Sequence, residues 1–309
     1  MSLALQILVT GLAAGGVYGL LAAGLTFVYR LTGVVHFALG DLVGLAVFVT
    51  LLVAAGTGPV TQTSVSSGRF ALALAVGFGV CVAAGAATYL LAVQPYLARG
   101  STIGWVAGTL AVGFAIHAAI QAGFGRPAYV FPDPLPFRRI GHEGFVTVWG
   151  ASIQVRSLFV IVVALALAAA ASWALARTRA GRGLRAIVDD PEGARIVGVP
   201  IELLVCLAFA LAGAIAAVAA VAAAPSAPFG ADTGTLLGLK GLVAAVAVGF
   251  RSPLRAFAAG LVVGVLESAI ADGSISGHTL GPQYSGLILV ALALGLIGLS
   301  GRHRTEAIE

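Results

Sequence analysis

Long apolar runs separated by short polar connections are the feature that most restricts how this chain can fold. A helix needs about 20 mostly apolar residues to cross the hydrocarbon core of a bilayer. Nine runs reach or approach that length, at residues 5–28, 41–55, 70–93, 103–123, 158–175, 203–224, 236–250, 256–271 and 284–299. With 60% hydrophobic and only 9% charged residues, the composition lies outside the range of soluble domains. The sequence therefore predicts an all-α polytopic membrane protein, with residues 1–309 forming one transmembrane domain.

The arginines are divided unequally between the two sides that these runs separate. If every run crosses the membrane, 11 of the 16 arginines fall on the side that contains residues 177–202, and 5 fall on the other side. Because positively charged short loops remain in the cytoplasm, this bias predicts an external N-terminus and an internal C-terminus. The second and seventh runs are short, so we expect about eight to nine spans, including a broken or re-entrant segment.

Residues 177–202, here called the basic loop, contain local signals for two short helices. Asp190 suits a helix N-cap, Pro191 suits the first helical position, and Glu192 complements the positive end of the helix dipole. Gly198, followed closely by a proline, provides a stop. Two such helices beneath the membrane form a docking surface, although a solvated loop that only fixes the topology has the same charge pattern.

The basic loop also resembles a known coupling motif. Glu192, Gly193 and Ala194, with Gly198 six residues after the glutamate, are similar to the EAA-type motif of permease subunits in ABC importers, with Gly193 in place of the usual first alanine. The block GLKGLVAAVAVGFRSP at residues 238–253 resembles permeases of the branched-chain amino acid (LivH) type. The resemblance implies that a separate ATPase contacts the basic loop, and the implied coupling residues are Asp190, Pro191, Glu192, Ala194 and Gly198.

The same resemblance implies a biochemical setting. It makes the chain a permease subunit of an ATP-driven importer in the bacterial plasma (inner) membrane, which moves branched-chain or other aliphatic amino acids into the cytoplasm. The implied partners are cytoplasmic ATPase subunits, a second permease subunit of the same or a homologous chain, a periplasmic or lipid-anchored solute-binding protein, and membrane lipid. Relatives of this family handle urea and short amides, so the solute stays open.

The segment at residues 32–41, TGVVHFALGD, interrupts the apolar pattern with two glycines and a histidine. It resembles the LivH-type pattern TGVxNFAHGE, with His36 in place of the asparagine, Leu39 in place of the histidine and Asp41 in place of the glutamate. Irregular backbone at membrane depth is tolerated where protein or a watery cavity surrounds it. The segment is therefore either a helix break packed against protein or part of the solute path, for which the candidate residues are Thr32, His36, Phe37 and Asp41.

Lys240 and Glu267 are two ionisable residues in neighbouring apolar runs. Each lies about four residues inside the same predicted membrane face, which at 1.5 Å per residue is a depth of ~6 Å. Because two separate charges at that depth are costly, we expect an ion pair. A role in the outer part of the solute path, in contact with a zwitterionic solute, is the alternative. His117, alone in an apolar run, is expected to be a hydrogen-bonded interior residue.

The longest polar connection, residues 126–156, lies outside on this topology. Its four prolines and interleaved aromatic residues fit either an ordered surface loop or a rim that receives a soluble binding protein. A different pattern, small residues at four-residue intervals, occurs in the first run and again near the end of the chain. These residues predict close helix packing, and they are Gly11, Gly15, Gly19, Ala23, Gly260 and Gly264.

Several other functions lack their expected motifs. The only lysine, Lys240, is followed by glycine, so the chain carries no P-loop for ATP. Cys81 and Cys206 lie within apolar runs without metal-ligand spacing, and we expect buried thiols, no metal, no cofactor and no nucleic-acid partner. The competing functions are an ion-coupled secondary transporter or a channel for a small polar solute such as urea or amides, and an intramembrane enzyme that uses Lys240 with Glu267.

Overall fold

The computed structural model describes residues 2–56, 66–97, 103–125, 128–132, 144–148, 151–272, 274–275 and 278–279. The helices are α1 Ser2–Thr32, α2 Leu39–Ala55, α3 Ser67–Thr88, α4 Gln94–Leu97, α5 Gly104–Phe124, α6 Val155–Arg177, α7 Arg179–Asp189, α8 Pro191–Ile196, α9 Ile201–Ala223, α10 Thr233–Ala247 and α11 Pro253–Asp272. A π-helical segment, Tyr89–Val93, joins α3 to α4, and a short 3-10 turn, Ala224–Ser226, follows α9.

Six of the described helices are long and apolar enough to span a membrane. They are α1, α3 with its π-helical extension, α5, α6, α9 and α11. Two shorter apolar helices, α2 and α10, coincide with the second and seventh runs. The run at residues 284–299 lies outside the described residues. The prediction of a polytopic helical protein is therefore confirmed, and each described run matches a helix within a few residues.

The expected interruption is present between α1 and α2. Residues 33–38 form no helix, and Val34, His36 and Ala38 are fully buried. Gly33 adopts a positive φ of 68°, and the Thr32 hydroxyl accepts a hydrogen bond from the Val34 amide, so the chain turns back on itself. The chain then returns alongside α1, because the Leu39 side chain at the start of α2 packs beside Gly24, which lies eight positions before the end of α1. The helix α2 thus begins about 12 Å along the axis from the end of α1, at 1.5 Å per residue.

The helix α1 is the centre of the bundle and packs on α6, α9, α10 and α11. Its closest neighbour is α11, where the small-residue pattern lies. A Cβ atom added at Gly15 would lie 2.7 Å from the Cα of Leu261, and one added at Gly19 would lie 2.6 Å from the carbonyl oxygen of Phe257. Distances this short leave space for no side chain, so the prediction of close helix packing is confirmed.

The polar connection at residues 126–156 contains two β-strands, which are not expected in an all-α protein. Strands β1 Phe145–Val148 and β2 Ala151–Gln154 form an antiparallel hairpin, and α6 already begins at Val155. A second small hairpin pairs β3 Ser274–Ile275 with β4 His278–Thr279. The prediction of an all-α protein omits these two hairpins, and in the first the β-branched residues of FVTV favour strand pairing.

Candidate functional site

A cleft of about 520 Å³ opens between the start of α2 and the facing sides of α5 and α10. Three of the four candidate residues from the 32–41 segment line it, namely His36, Phe37 and Asp41. Thr32 lies outside it, as do Lys240 and Glu267. The remaining wall is mostly apolar, and its leucines include Leu25, Leu110, Leu239 and Leu242.

Glycines allow the start of α2 to pack directly against α10. A Cβ atom added at Gly40 would lie 2.7 Å from the Gly234 carbonyl oxygen and 2.9 Å from the Gly238 Cα. The backbones of α2 and α10 are therefore in direct contact, which only glycine permits at this separation. Among the described residues, no side chain caps the N-terminus of α2 at Ala38. Because the start of α2 lines the cleft, the positive end of the α2 dipole lies at the cleft floor.

Asp41 occupies the first turn of α2, where a carboxylate is favoured by the helix dipole. It is buried, and its Oδ1 accepts a hydrogen bond of 2.6 Å from the Thr235 hydroxyl of α10. On the other side, Gly113 of α5 makes room for the carboxylate, because a Cβ atom there would lie 2.5 Å from Oδ2. Three helices thus hold one acidic group at the cleft wall.

His36 lies fully buried in the cleft wall. Its ring contacts that of Phe209 on α9, with a centroid separation of 5.0 Å, and neither ring nitrogen has a hydrogen-bond partner among the described residues. Leaving a buried polar group unsatisfied costs about 1–3 kcal/mol. A buried polar group of this kind calls for a partner such as an ordered water, an ion or a ligand.

One end of the cleft is bridged by His117 of α5 and Asp232, which immediately precedes α10. The His117 Nε2 lies 3.3 Å from the Asp232 carboxylate and 2.8 Å from the Gln121 amide nitrogen. The expectation of a hydrogen-bonded His117 is confirmed, although its ring lies at the edge of the cleft and not in the core. Asp232 could not be predicted from the sequence, since no local pattern links a residue before α10 to α5.

Lys240 and Glu267 form the expected ion pair, at 2.5 Å between Nζ and Oε1. A third member, not predicted from the sequence, is Tyr18 of α1, whose hydroxyl accepts a hydrogen bond of 3.1 Å from Nζ. The Lys240 Nζ also lies 5.1 Å from the centre of the Tyr18 ring. These contacts join α1, α10 and α11, and they lie away from the cleft.

Lys240→Met is expected to lower the free energy of unfolding by about 3 kcal/mol, because it removes the ammonium that neutralises the Glu267 carboxylate in a low-dielectric environment. The double variant Lys240→Met with Glu267→Leu should recover most of that loss, since an apolar pair of similar volume needs no solvation. Unfolding of the purified chain in mixed micelles measures both changes. A single variant as stable as the unmodified chain would show that the pair contributes nothing.

The basic loop folds into α7 and α8 as expected. The Asp190 Oδ1 accepts hydrogen bonds from the backbone amides of Glu192 and Gly193, at 3.1 and 3.0 Å, and Pro191 occupies the first turn. Gly198, two residues beyond the end of α8, has a positive φ of 80°. The predicted N-cap and stop are therefore confirmed in geometry.

The two short helices are fixed to the bundle by an apolar cluster. Leu184 and Ile187 of α7 and Ala194 of α8 pack with Phe27 of α1 and Leu204 of α9. Of the expected coupling residues, Ala194 is thus buried, whereas Asp190, Pro191, Glu192 and Gly198 are exposed.

The end of α8 carries an apolar surface that the sequence analysis did not single out. Ile196 is 85% exposed and Val197 is 77% exposed. Glu192 and Arg195 of the same short helix are also exposed, so the surface is mixed in character. Two adjacent, solvent-exposed aliphatic side chains on a polar loop are typical of a contact surface.

Arg156, the last residue of the predicted 126–156 connection, is buried in the structure. It lies in the first turn of α6, is 3% exposed, and its guanidinium donates to the carbonyl oxygens of Val221 and Ala222 at 2.9 and 3.3 Å. These carbonyls belong to the last turn of α9, which is the negative end of that helix. Arg156 thus ties α6 to α9, and the loop boundary predicted from the sequence was two residues too long.

Comparisons with known proteins identify the family of the chain. The profile of the family described as "Branched-chain amino acid transport system / permease component" matches residues 7–297. Among curated proteins, the chain is 27% identical to the high-affinity branched-chain amino acid transport system permease protein BraD of Pseudomonas aeruginosa, over 98% of each chain. It is 25% identical to the permease protein LivH of Escherichia coli K12, over 98% of this chain and 97% of LivH.

A further curated relative matches a smaller share of the chain. The chain is 29% identical to the probable branched-chain amino acid transport permease protein LivH of Methanocaldococcus jannaschii, over 81% of this chain and 76% of that protein. No solved structure matches the chain. The family match nevertheless covers nearly the whole sequence and agrees with the multi-pass helical architecture. The chain therefore belongs to the permease component family of branched-chain amino acid transport systems.

Proposed function

We propose that this chain is a permease subunit of an ATP-driven ABC importer that moves branched-chain or other aliphatic amino acids into the cytoplasm. The observation that carries this proposal is the cleft at the start of α2, where a buried carboxylate and an unsatisfied imidazole meet apolar walls. Its volume of about 520 Å³ lies within the range of roughly 300–1,000 Å³ that is usual for small-molecule sites.

The chemistry of the cleft fits a zwitterion with an aliphatic side chain. The Asp41 carboxylate accepts hydrogen bonds from an ammonium group, and the uncapped start of α2 favours a carboxylate. The His36 ring adds one hydrogen-bond donor and one acceptor in its neutral form. Leucines on α1, α5 and α10 provide the apolar surface for the side chain.

The topology proposed for this importer subunit places the basic loop in the cytoplasm and the N-terminus outside. Six long helices with α2 and α10 account for eight crossings or partial crossings in the described part of the chain, and the sequence predicts a ninth at residues 284–299, outside the described residues. In this arrangement the segment at residues 33–38 re-enters the bundle from the cytoplasmic side. The subunit lies in the plasma (inner) membrane, where positive charge in short loops holds it in this orientation.

The proposed partners dock on two surfaces of the subunit, the basic loop and the connection at residues 126–156. Separate ATPase subunits dock on α7 and α8, with Asp190, Pro191, Glu192, Ala194 and Gly198 as coupling residues and with Ile196 and Val197 as apolar contacts. A solute-binding protein docks on the opposite face, at the connection that contains the β1–β2 hairpin. A second permease subunit completes the transmembrane unit.

A chain of packed residues links the coupling surface to the cleft. The cluster beneath α7 and α8 includes Leu204 of α9, and one and a half turns further along α9 Phe209 contacts the ring of His36. Displacement of α7 and α8 by the ATPases is therefore transmitted along α9 to the cleft wall. Alternation of the cleft between the two sides then moves the solute, with the energy supplied by ATP hydrolysis in the partner subunits.

The test is uptake of radiolabelled leucine by proteoliposomes that contain this chain with its ATPase subunits, its second permease and its binding protein. Uptake should require ATP in the compartment that corresponds to the cytoplasm, and liposomes with this chain alone should accumulate no solute. Accumulation by the chain alone would overturn the proposal. Collapse of uptake on addition of a protonophore, with ATP maintained, would favour an ion-coupled transporter instead.

The pairing of His36 and Asp41 in one cleft also fits a second solute class. An imidazole and a carboxylate provide the acceptors that the N–H groups of urea and short amides require. Competition of leucine uptake by urea or acetamide at millimolar concentration distinguishes the two classes. Strong competition by these amides would reassign the substrate, while the importer mechanism would remain.

A further inference from the structure

A second cavity, of about 350 Å³, lies between α6 and α9 at the end of the bundle that carries the basic loop. Except for one threonine, the described residues that line it are apolar, and they include Phe27 of α1 and Leu184 of α7. Along α9 the cavity extends from Leu204 to Ile215, which are 11 positions apart. At 1.5 Å per residue this length is about 16 Å. Half of the hydrocarbon core of a bilayer is ~15 Å thick, so the cavity has the length of the apolar part of one leaflet.

The walls of this cavity belong to helices that span the membrane. Both α6 and α9 are long and apolar enough to cross a bilayer. Leu207 and Leu211 of α9 line the cavity and are 49% and 40% exposed in the described structure. The cavity is therefore an apolar groove at the depth of the acyl chains.

Four arginines lie at the corner between α6 and α7, where the groove meets the basic loop. All four are exposed, and they are Arg177, Arg179, Arg182 and Arg185. Arg185 reaches back towards α6, because its Nη2 donates a hydrogen bond of 3.3 Å to the carbonyl oxygen of Ala176. In the described part of the chain, none of the four forms an ion pair with a carboxylate. Unpaired basic residues at the end of a spanning helix attract anionic lipid headgroups.

The last part of the sequence matches this corner less well than a lipid does. Residues 284–299 contain no acidic residue, and the two glutamates of the tail are matched by Arg302 and Arg304. Such a segment could fill the groove but would leave the four arginines without a counter-charge. A phospholipid with a net negative headgroup provides both the apolar chain and the charge.

We propose that an anionic phospholipid binds at this corner, with one acyl chain in the groove and its phosphate against the arginines of α7. The orientation proposed above places this lipid in the cytoplasmic leaflet. Leu184 lines the groove and also belongs to the apolar cluster that fixes α7 and α8 to the bundle. The bound acyl chain therefore supports the surface that we propose for ATPase docking. This last step rests on the proposed function, whereas the binding of the lipid does not.

Native mass spectrometry of the purified full chain, released from micelles that contain defined amounts of lipid, tests the site. The probes are phosphatidylglycerol and phosphatidylcholine with the same acyl chains, so that only the net charge of the headgroup differs. Phosphatidylglycerol should bind the more tightly of the two. Equal affinity for the two lipids, which is expected if residues 280–309 fill the groove, overturns the inference.

Arg182→Gln together with Arg185→Gln should weaken phosphatidylglycerol binding roughly 30-fold, which corresponds to about 1 kcal/mol for each arginine near the lipid surface. The matched control is Arg251→Gln together with Arg255→Gln. This control removes the same charge from another exposed pair on the predicted cytoplasmic side and should leave binding nearly unchanged. An equal loss in the control overturns the inference, because the attraction would then be unspecific.

Ala171→Trp tests the groove separately, because its side chain lines the cavity and an indole fills the space without changing the charge. It should also weaken phosphatidylglycerol binding, and unchanged binding overturns the inference. Retained lipid binding in the arginine variant, with loss of co-purifying ATPase subunits, would assign the arginines to the ATPase and overturn it as well. Lipid binding is measured without transport, so failure of the proposed function would leave these results unaffected.

Discussion

Ile196→Asp is expected to weaken assembly with the ATPase subunits roughly 100-fold and to reduce ATP-driven uptake at least tenfold. Ile196 is 85% exposed at the end of α8, beside the exposed Val197, on the surface that we propose for coupling. Burying a carboxylate that has no partner in an apolar contact costs about 3 kcal/mol or more. Since 1.4 kcal/mol corresponds to a factor of ten, the affinity for the ATPase should fall roughly 100-fold.

The stability of the isolated chain separates this effect from misfolding. Because Ile196 makes little contact within the subunit, the variant should unfold like the unmodified chain in detergent. Ile196→Leu, which keeps the apolar volume, should retain both assembly and uptake. Co-purification of the ATPase subunits and leucine uptake are the two measurements. Normal co-purification with Ile196→Asp would show that the ATPase docks elsewhere.

Asp41→Asn is expected to reduce uptake at low solute concentration by roughly 10- to 150-fold. The substitution keeps the shape of the side chain and the oxygen that accepts from the Thr235 hydroxyl, so the contact between α2 and α10 is preserved. It removes the negative charge that we assign to the ammonium group of the solute. A hydrogen bond to a charged group contributes about 1.5–3 kcal/mol, and this range gives the expected factor.

Thr235→Val is the matched control for Asp41→Asn. It removes the hydrogen bond to Oδ1 but leaves the carboxylate charge in the cleft, so its effect on uptake should be much smaller. Both variants should assemble with the ATPases and hydrolyse ATP, because the cleft lies away from α7 and α8. Uptake measured across a range of leucine concentrations tests the pair. An Asp41→Asn complex with unchanged uptake would remove Asp41 from the solute path.

The features that could be predicted from the sequence are those set by local physics or by the bilayer. Span positions follow from hydrocarbon thickness, so the apolar runs match the described helices closely. The cap at Asp190 and the stop at Gly198 depend on residues within one helical turn, and both are present. The small residues of α1 indicated close packing because their spacing places them on one helix face.

The features that escaped prediction depend on residues far apart in the sequence. Tyr18 joins Lys240 across 222 positions, and Arg156 reaches the end of α9 across 65 and 66 positions. No periodicity in the sequence predicts such contacts, because they form only when the helices pack together. The same holds for Asp232, which meets His117 through the arrangement of α5 and α10 around α2. The exposure of Ile196 likewise depends on how α8 lies on α7.

The glycine contact between α1 and α11 determines which parts of the subunit are free to move. Where backbones touch without intervening side chains, sliding by even a fraction of a turn brings a Cβ atom into collision with the neighbouring main chain. We therefore expect the two helices to move together as one rigid unit during the transport that we propose. By contrast, α5 packs mainly on α2 and on the π-helical segment, and such local departures from α-helix are frequent at functional sites. We therefore expect the rearrangement that accompanies the proposed transport to involve elements other than α1 and α11, such as α5.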